Sequence, residues 1–308
     1  AIAGGRNVRV LEPSPPTVND GPWFADDPTS LDGADPAEVM TPTSAGTAWA
    51  DLAAADPAIA AYARDHWLAD YKPLPDVPDG YVEARNDFHR VAYGVISNAR
   101  KAANGKFGLR YTSGGFGTPV FGEDEQVRVD GTDLVVQRGT AVTRTPLTTL
   151  EAAAAAAGIE ATADQAEHDT VELGALDRPL AVDDESGAFL GDWFGFATSV
   201  LEELRLVGGA DDDVSRVQIW PGHFDPAVEI GSADAGRRAS FGASPGDATH
   251  DEPYLYVAAW GEIDRTQHYW NDARFNGASM PYAELRAASD QREAAVGFFR
   301  RGYEILNP

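Results

Sequence analysis

The residues best suited to chemistry lie between Trp220 and Trp260, a stretch that holds two of the six histidines. Six side chains in it are candidates for binding a ligand: His223, Asp225, Glu229, Asp247, Glu252 and Tyr254. Histidine beside carboxylates is a common arrangement for a general acid–base pair or a metal site. The spacing matches no helical zinc motif, so no residue is predicted as a metal ligand. No cofactor is indicated.

Strand alternation explains how these side chains could meet. Residues two apart in a strand share a face. One face would carry His223, Asp225, Ala227 and Glu229, and the other Phe224, Val228 and Ile230. Pro226 lacks a ladder donor, which predicts an edge strand or a bulge. The turn Ser244-Pro-Gly-Asp247 and the β-prone run from Tyr254 to Trp260 would then bring Asp247 back toward His223.

Two interpretations of this polar face stay open. In one, it is the solvated face of an antiparallel sheet, Asp247 bonds its own turn and His223 caps the turn after Gly222. In the other, it lines a pocket, with His223 as base or ligand, Asp225 as its partner and Asp247 or Glu252 as a second carboxylate. The pocket predicts small-molecule binding, or acid–base or metal-assisted hydrolysis. The alternative function is a non-catalytic interaction or homo-oligomer-forming protein.

Composition excludes several classes of protein. The 308 residues include no cysteine, so disulfides and thiolate chemistry are ruled out. A net charge of -25 opposes binding to nucleic acid or to an anionic membrane. No stretch approaches a transmembrane span, which predicts a cytoplasmic protein. Lysine is scarce beside abundant Ala, Gly, Asp and Arg, which fits either a GC-rich genome or adaptation to high salt.

The elements that must position the candidate site follow from periodicity and caps. Residues 1–80 predict an irregular Pro-rich arm with short helices near 46–54 and 57–69. Apolar spacing, caps and stops predict further helices at about 80–103, 148–158, 184–207, 282–288 and 291–306. The Asp130-Gly131 turn predicts a hairpin over 126–137. The connection 159–182 is predicted to lie on the surface.

The glycine-rich segment 113–119 and His89 could each suggest a binding site, but both are predicted to have structural roles. The glycine-rich segment 113–119 lacks a following helix and the spacing of a dinucleotide fingerprint, so a close backbone approach or a loop lip is predicted. His89 lies beside the apolar stripe of the first long helix. It is predicted to be a boundary residue rather than a ligand.

Short antiparallel strands bracketed by helices indicate an α+β fold, with long helices covering the sheets. Residues 81–308 are predicted to form one compact domain. Its halves, about 81–158 and 184–306, share the order helix, strands, helix, which is typical of a divergent internal duplication.

Five short motifs of the chain are specific enough to compare with a known family, namely Phe107-Gly-Leu-Arg-Tyr-Thr, Trp220-Pro-Gly-His-Phe-Asp, Ser244-Pro-Gly-Asp, Glu252-Pro-Tyr-Leu-Tyr-Val and Met280-Pro-Tyr-Ala-Glu-Leu. Over residues 85–305 the chain resembles, through these motifs, the bacterial family of actinobacterial type that is catalogued as domain of unknown function 5996. The resemblance implies one continuous domain and a central role for the Trp220–Trp260 stretch. It implies no activity, cofactor or substrate.

Overall fold

The computed structural model describes residues 73–112, 114–119, 121, 125–138, 141–163, 170–209, 211–215 and 217–308. It also describes a short antiparallel pairing of Val8–Arg9 with Phe24–Ala25. The short helices predicted at 46–54 and 57–69 lie outside the described residues. Within the described part of the chain, no helix is long and apolar enough to cross a membrane.

The helices bracket two sheets, and the predicted α+β class is confirmed. The helices are α1 (Tyr81–Val91), a π turn (Ala92–Ile96), α2 (Ser97–Asn104), α3 (Leu150–Ala157), α4 (Asp184–Leu204), a 3-10 turn (Arg205–Val207), α5 (Tyr282–Ala287) and α6 (Gln291–Leu306). Left-handed glycines end two of them, Gly105 after α2 and Gly158 after α3. Glycine is favoured there because it lacks the Cβ that makes this conformation costly.

Each sheet is a five-stranded antiparallel meander. The N-terminal sheet contains β1 (Arg110–Thr112), β2 (Gly115–Gly117), β3 (Glu125–Asp130), β4 (Asp133–Arg138) and β5 (Ala141–Pro146). The C-terminal sheet contains β6 (Gln218–Trp220), β7 (Asp225–Ile230), β8 (Ala239–Ser244), β9 (Tyr254–Ala259) and β10 (Gly277–Pro281). The strands of each sheet pair in sequence order, and the sheets meet where Leu109 and Ile219 exchange backbone hydrogen bonds of 2.8 and 2.7 Å. The element order therefore repeats, whereas the duplication itself stays a prediction.

Helix α4 lies between the two sheets and contacts β1 and β2 on one side and β7 and β8 on the other. Its predicted apolar stripe is buried, including Phe189 and Trp193. Leu190, Phe194 and Ala197, off that stripe, are also buried. A helix with core on both sides needs apolar residues around most of its circumference. Asp183 caps its first turn by accepting a hydrogen bond from the Ser186 amide at 2.8 Å.

The first long helix is interrupted by the π turn, which the periodicity did not predict. The turn leaves the Gly94 carbonyl available to Asn98 and to the Thr162 amide.

The connection 159–182, which was expected on the surface, is in part docked on this helix. The Asp87 carboxylate accepts a hydrogen bond from the Ala181 amide at 2.7 Å and pairs with Arg178. This tie fixes the chain between the two halves.

Two local predictions need correction, and two strands were not predicted. The helix predicted at about 148–158 begins after its cap Thr149, whose side chain accepts a hydrogen bond from the Ala152 amide. The glycine-rich segment contains strand β2 rather than a loop lip. Its close approach is to α4, where a side chain at Gly191 would lie 3.0 Å from the Gly114 backbone. Strands β5 and β10 carry too weak an alternation to have been predicted.

Pro226 lies neither in an edge strand nor at a bulge, because β7 is an interior strand and pairs with both neighbours without an inserted residue. The backbone groups of Ile219, which lies opposite Pro226, point to Leu109, so the Ile219–Pro226 pair is not hydrogen-bonded. On the other side, the pairing of β7 with β8 ends at Ala227. The backbone nitrogen of Pro226 therefore faces β8, and the ladder between β7 and β8 stops beside it.

Candidate functional site

An open cavity of about 450 Å³ lies on the outer face of the C-terminal sheet. The opposite face of that sheet is core, with Val228, Phe241 and Val257 buried beside α4 and α6. The cavity is lined by Trp220, His223, Asp225, Ala227, Glu229, Ser240, Ser244, Asp247, Tyr254, Tyr256, Ala258 and Phe275. The strand alternation separates these two sets of residues, as the sequence predicted for β7.

The turn between β6 and β7 places His223 and Asp225 at one end of the cavity. The last residue of the turn, Phe224, has a left-handed backbone (φ 59°), and its amide donates to the Trp220 carbonyl at 2.6 Å. This conformation costs a non-glycine residue about 1–2 kcal/mol. Burial of the phenyl ring against Phe116 and Phe194 offsets that cost. The residues on either side of Phe224 are thereby held at the cavity.

His89 supports the same turn from α1. Its Nε2 lies 2.7 Å from the Pro221 carbonyl, to which it donates, and its ring stacks on Phe224 with centroids 5.1 Å apart. Burial of the ring lowers the pKa of His89 to about 4, although the hydrogen bond to Pro221 opposes the shift. The imidazole is therefore neutral near neutral pH. His89 is a structural link between α1 and the cavity turn, in line with its expected role as a boundary residue.

Two residues of the cavity lining form a hydrogen bond that crosses a whole strand. The Tyr256 hydroxyl of β9 donates to Oδ2 of Asp225, a buried residue that begins β7. Gly242 of β8 lies between them, opposite Tyr256 in the register. A Cβ at Gly242 would lie 2.4 Å from the Tyr256 ring. The missing side chain is thus what allows the ring to lie across β8.

Asp247 organises the turn at one side of the cavity. Its Oδ1 accepts from the Thr249 amide at 2.6 Å and the Thr249 hydroxyl at 2.7 Å, and its Oδ2 accepts from the Tyr254 hydroxyl at 2.7 Å. Burial raises the pKa of Asp247, but the hydrogen bonds from Tyr254, Thr249 and His250 outweigh it and hold that pKa well below its usual range. Buried Arg85 donates to the backbone of the same turn, including the His250 carbonyl at 3.0 Å.

Glu229 lies at the other end of β7. Its carboxylate accepts from Arg238 at 2.9 Å, and the same guanidinium lies 5.1 Å from the centre of the Trp260 ring. The Trp260 indole nitrogen in turn donates to the Ser240 hydroxyl at 3.0 Å. The carboxylate at this end of the cavity is therefore held by a buried arginine, which also pairs with Asp213 at 3.3 Å.

Five of the six predicted site residues line the cavity, namely His223, Asp225, Glu229, Asp247 and Tyr254. The sixth, Glu252, is exposed and does not line the cavity, so the structure does not bring it together with the other five. It lies in the loop before β9, so strand alternation does not govern its direction. The predicted hydrogen bond between His223 and a carboxylate stays a prediction.

Sequence reasoning missed Tyr256 and Phe275. Tyr256 is two residues from Tyr254 on β9, so the alternation that selected one could have selected the other. Phe275 carried no such signal, because it lies in the loop before β10. Its ring meets that of Tyr256 edge-on at 6.2 Å.

Among the described residues, no group of three or more His, Asp or Glu side chains is arranged to hold a metal ion. No protein-family model, curated protein or solved structure matches the chain. The resemblance to the family of unknown function stays a prediction, as does any activity.

Proposed function

We propose that the cavity on the C-terminal sheet binds a small organic molecule. The observation that carries the proposal is the Tyr256–Asp225 pair, a preorganised polar contact inside a cavity with aromatic walls. Ligand sites combine concave, largely apolar walls with a few fixed polar groups. A cavity of about 450 Å³ is also within the usual range for such sites.

The charge states of Tyr254, Tyr256 and Asp247 favour binding over acid–base hydrolysis by these three groups. A general acid or base works best when its pKa is near the operating pH. Burial and the Asp247 carboxylate raise the pKa of Tyr254, and burial and Asp225 raise that of Tyr256, so both hydroxyls stay protonated. The pKa of Asp247 is instead lowered, so its carboxylate stays ionised. These groups are suited to fixed hydrogen bonding rather than to exchanging protons with a substrate.

The alternative, an interaction or oligomer-forming surface, has less support. Such surfaces usually present a contiguous apolar patch. The large exposed apolar side chains of the described residues are Val142 and Trp260, which lie on or beside different sheets. The concave polar and aromatic cavity is therefore the stronger candidate.

The test is to fill the cavity and repeat a fragment screen. Ala258 lies in the lining on β9, so Ala258→Phe places a ring inside the cavity. Ala141→Phe, at an exposed position on β5, is the matched control. A fragment library screened by ligand-observed NMR should give hits on wild type and on Ala141→Phe that disappear on Ala258→Phe. Hits that persist on a folded Ala258→Phe variant would place binding elsewhere.

A further inference from the structure

We infer that the ligand of this cavity is a neutral sugar ring; the inference rests on the proposed binding function and adds the ligand's chemical class. Three features of the lining point to it. They are an aspartate already accompanied by the protein's own arginines, a hydrogen-bond acceptor and a donor at opposed strand positions, and two aromatic rings that meet nearly at a right angle.

Two arginines and a histidine surround Asp247 at one side of the cavity. Buried Arg85 donates to the Asp247 backbone carbonyl at 3.3 Å, and Nδ1 of His250 lies 3.2 Å from Oδ1 of Asp247. The Arg274 guanidinium contacts the same histidine ring and lies 5.8 Å from the centre of the Tyr254 ring. A cation of the protein therefore already occupies the aromatic surface at this side. A charged ligand group gains little here, which favours an uncharged ligand.

Glu229 and Ser240 present an acceptor and a donor at the far end of β7. They lie directly opposite each other on β7 and β8, and both line the cavity. Oε2 of Glu229 accepts from Arg238 at 2.9 Å, and the Ser240 hydroxyl accepts from the Trp260 indole at 3.0 Å, so both side chains are held in place. Among the described residues, Oε1 of Glu229 accepts no hydrogen bond and the Ser240 hydroxyl donates none.

A ligand hydroxyl matches this arrangement. It can donate to Glu229 and accept from Ser240, whereas an ether or ketone oxygen can only accept. Opposed side chains on neighbouring strands are about 5 Å apart at Cβ, so the two can reach one hydroxyl or two adjacent ones. Donation to a carboxylate does not depend on its other partners, because each carboxylate oxygen accepts more than one hydrogen bond.

Tyr256 and Phe275 form an aromatic corner beside these groups. The Tyr256 ring lies against the backbone of Gly242, two residues from Ser240 on β8, and its hydroxyl is held by Asp225. Its half-buried side chain lines the cavity, and Phe275 meets it edge-on with planes at 83°. The C–H groups on one side of a sugar ring pack against an aromatic ring by dispersion, while the hydroxyls on its rim point to polar groups.

Other ligand classes leave one of these features unused. An apolar molecule would use the aromatic corner but leave Glu229 and Ser240 without ligand partners. A metal ion would leave the rings unused, and among the described residues no group of three His, Asp or Glu side chains is arranged to hold one. A neutral sugar uses the rings, the acceptor and the donor together.

The experiment measures the affinity of six probes for the full chain by ligand-observed NMR at one fixed ionic strength. Three are neutral sugars, the methyl glycosides of glucose, galactose and mannose. Tetrahydropyran supplies the same ring without hydroxyls, and glucosamine and glucuronate supply it with a positive or a negative charge. At least one neutral glycoside is expected to bind about tenfold or more tightly than tetrahydropyran, because a site built for hydroxyls rejects an analogue that lacks them. Neither charged sugar should bind more tightly than that glycoside.

Three variants locate the effect. Ser240→Ala removes the donor and should weaken the glycoside about fivefold with tetrahydropyran unchanged, whereas Ser289→Ala, at an exposed position outside the cavity, should have no effect. Glu229→Gln should weaken the glycoside about tenfold, against Glu284→Gln as its exposed control. Phe275→Leu should weaken both probes, because both rings pack on the corner. Ser240→Ala also serves if Glu229→Gln does not fold.

Glycosides that bind no better than tetrahydropyran, while fragments still bind and are lost on Ala258→Phe, would overturn the sugar assignment and leave the binding function standing. Tighter binding of glucosamine or glucuronate than of every neutral glycoside would overturn it too. So would glycoside affinity that neither Ser240→Ala nor Phe275→Leu changes, or that persists on Ala258→Phe. Failure of the whole fragment screen would instead count against the binding function itself.

Discussion

The two sheets have the same meander topology, but their outer faces carry side chains of different charge. Both present their inner face to α4, and they join through Leu109 and Ile219. The outer face of the N-terminal sheet carries arginines at aligned positions on β1, β3 and β5, of which Arg110 and Arg128 are buried. The outer face of the C-terminal sheet carries carboxylates and tyrosines around an open cavity. The shared topology therefore gives both sheets the same backbone arrangement, whereas the side chains on each outer face determine its charge and hydrogen bonding.

A strand glycine permits close side-chain packing on each outer face. Gly117 lies beside Arg128, whose Cβ would be 2.4 Å from an added Cβ. Gly242 occupies a similar place beneath the Tyr256 ring. Glycine in a strand interior often marks such close approaches. In the N-terminal sheet the side chain next to the glycine is the cation Arg128. In the C-terminal sheet it is the phenol ring of Tyr256, which reaches the Asp225 carboxylate.

The largest effect is expected where the two sheets share one core. Phe116 of β2 is fully buried and contacts Phe88, Phe194 and Phe224. Phe116→Ala should lower the free energy of unfolding by about 3–5 kcal/mol. Chemical denaturation should show one transition in both proteins. Val142→Ala, at an exposed site, is the control, and separate transitions for the two halves would contradict a shared core.

A smaller effect is expected at the glycine beneath Tyr256. Gly242→Ala should cost about 1–3 kcal/mol, because the new Cβ must displace the ring. It should also reduce ligand binding in the cavity. Gly297, exposed in α6, is the matched control, because a Cβ added there would meet no atom within 4 Å. Gly297→Ala should stabilise the protein by about 0.5–1 kcal/mol. If Gly242→Ala binds and unfolds like wild type, the strand-crossing contact is unimportant.

A pH-dependent effect is expected at the cavity turn. The folded-state pKa of Asp247 is depressed by its hydrogen bonds, so its contribution to stability is present above the unfolded value of about 4 and is lost as the pH falls below it. The effect is modest because the Asp247 side chain is 38% exposed. Unfolding free energies of wild type and Asp247→Asn should differ near neutral pH and converge in acid. A gap that widens in acid would contradict the sign.

The smallest effect is expected at the outer edge of the N-terminal sheet. Arg144 of β5 lies 2.5 Å from Asp130 and 3.7 Å from Asp133, but its side chain is half exposed. Exposed ion pairs contribute little, so Arg144→Ala should change stability by less than about 1 kcal/mol. Ligand binding in the opposite sheet should be unaffected. Any loss of binding would show that the two outer faces communicate.

Local patterns in the sequence determined much of the scaffold. A capping sequence and glycine stops predicted α3 and the end of α4, because these helix ends are specified by residues next to the helix. Alternation along 223–230 predicted which side chains of β7 share a face. The Asp130-Gly131 turn predicted the β3–β4 hairpin. Such features depend on neighbours in the chain, so a single sequence contains them.

Only the tertiary structure decided how distant residues meet. The Tyr256–Asp225 contact depends on the register of three strands and on a glycine between them. The place of Phe275 in the cavity depends on a loop without periodicity, and Glu252 lies outside it for the same reason. The π turn frees the Gly94 carbonyl for Asn98 and Thr162. The docked connection depends on Asp87, Arg178 and Ala181, which come together only on folding. Non-local contacts are set by packing of the whole chain, which neighbouring residues alone do not encode.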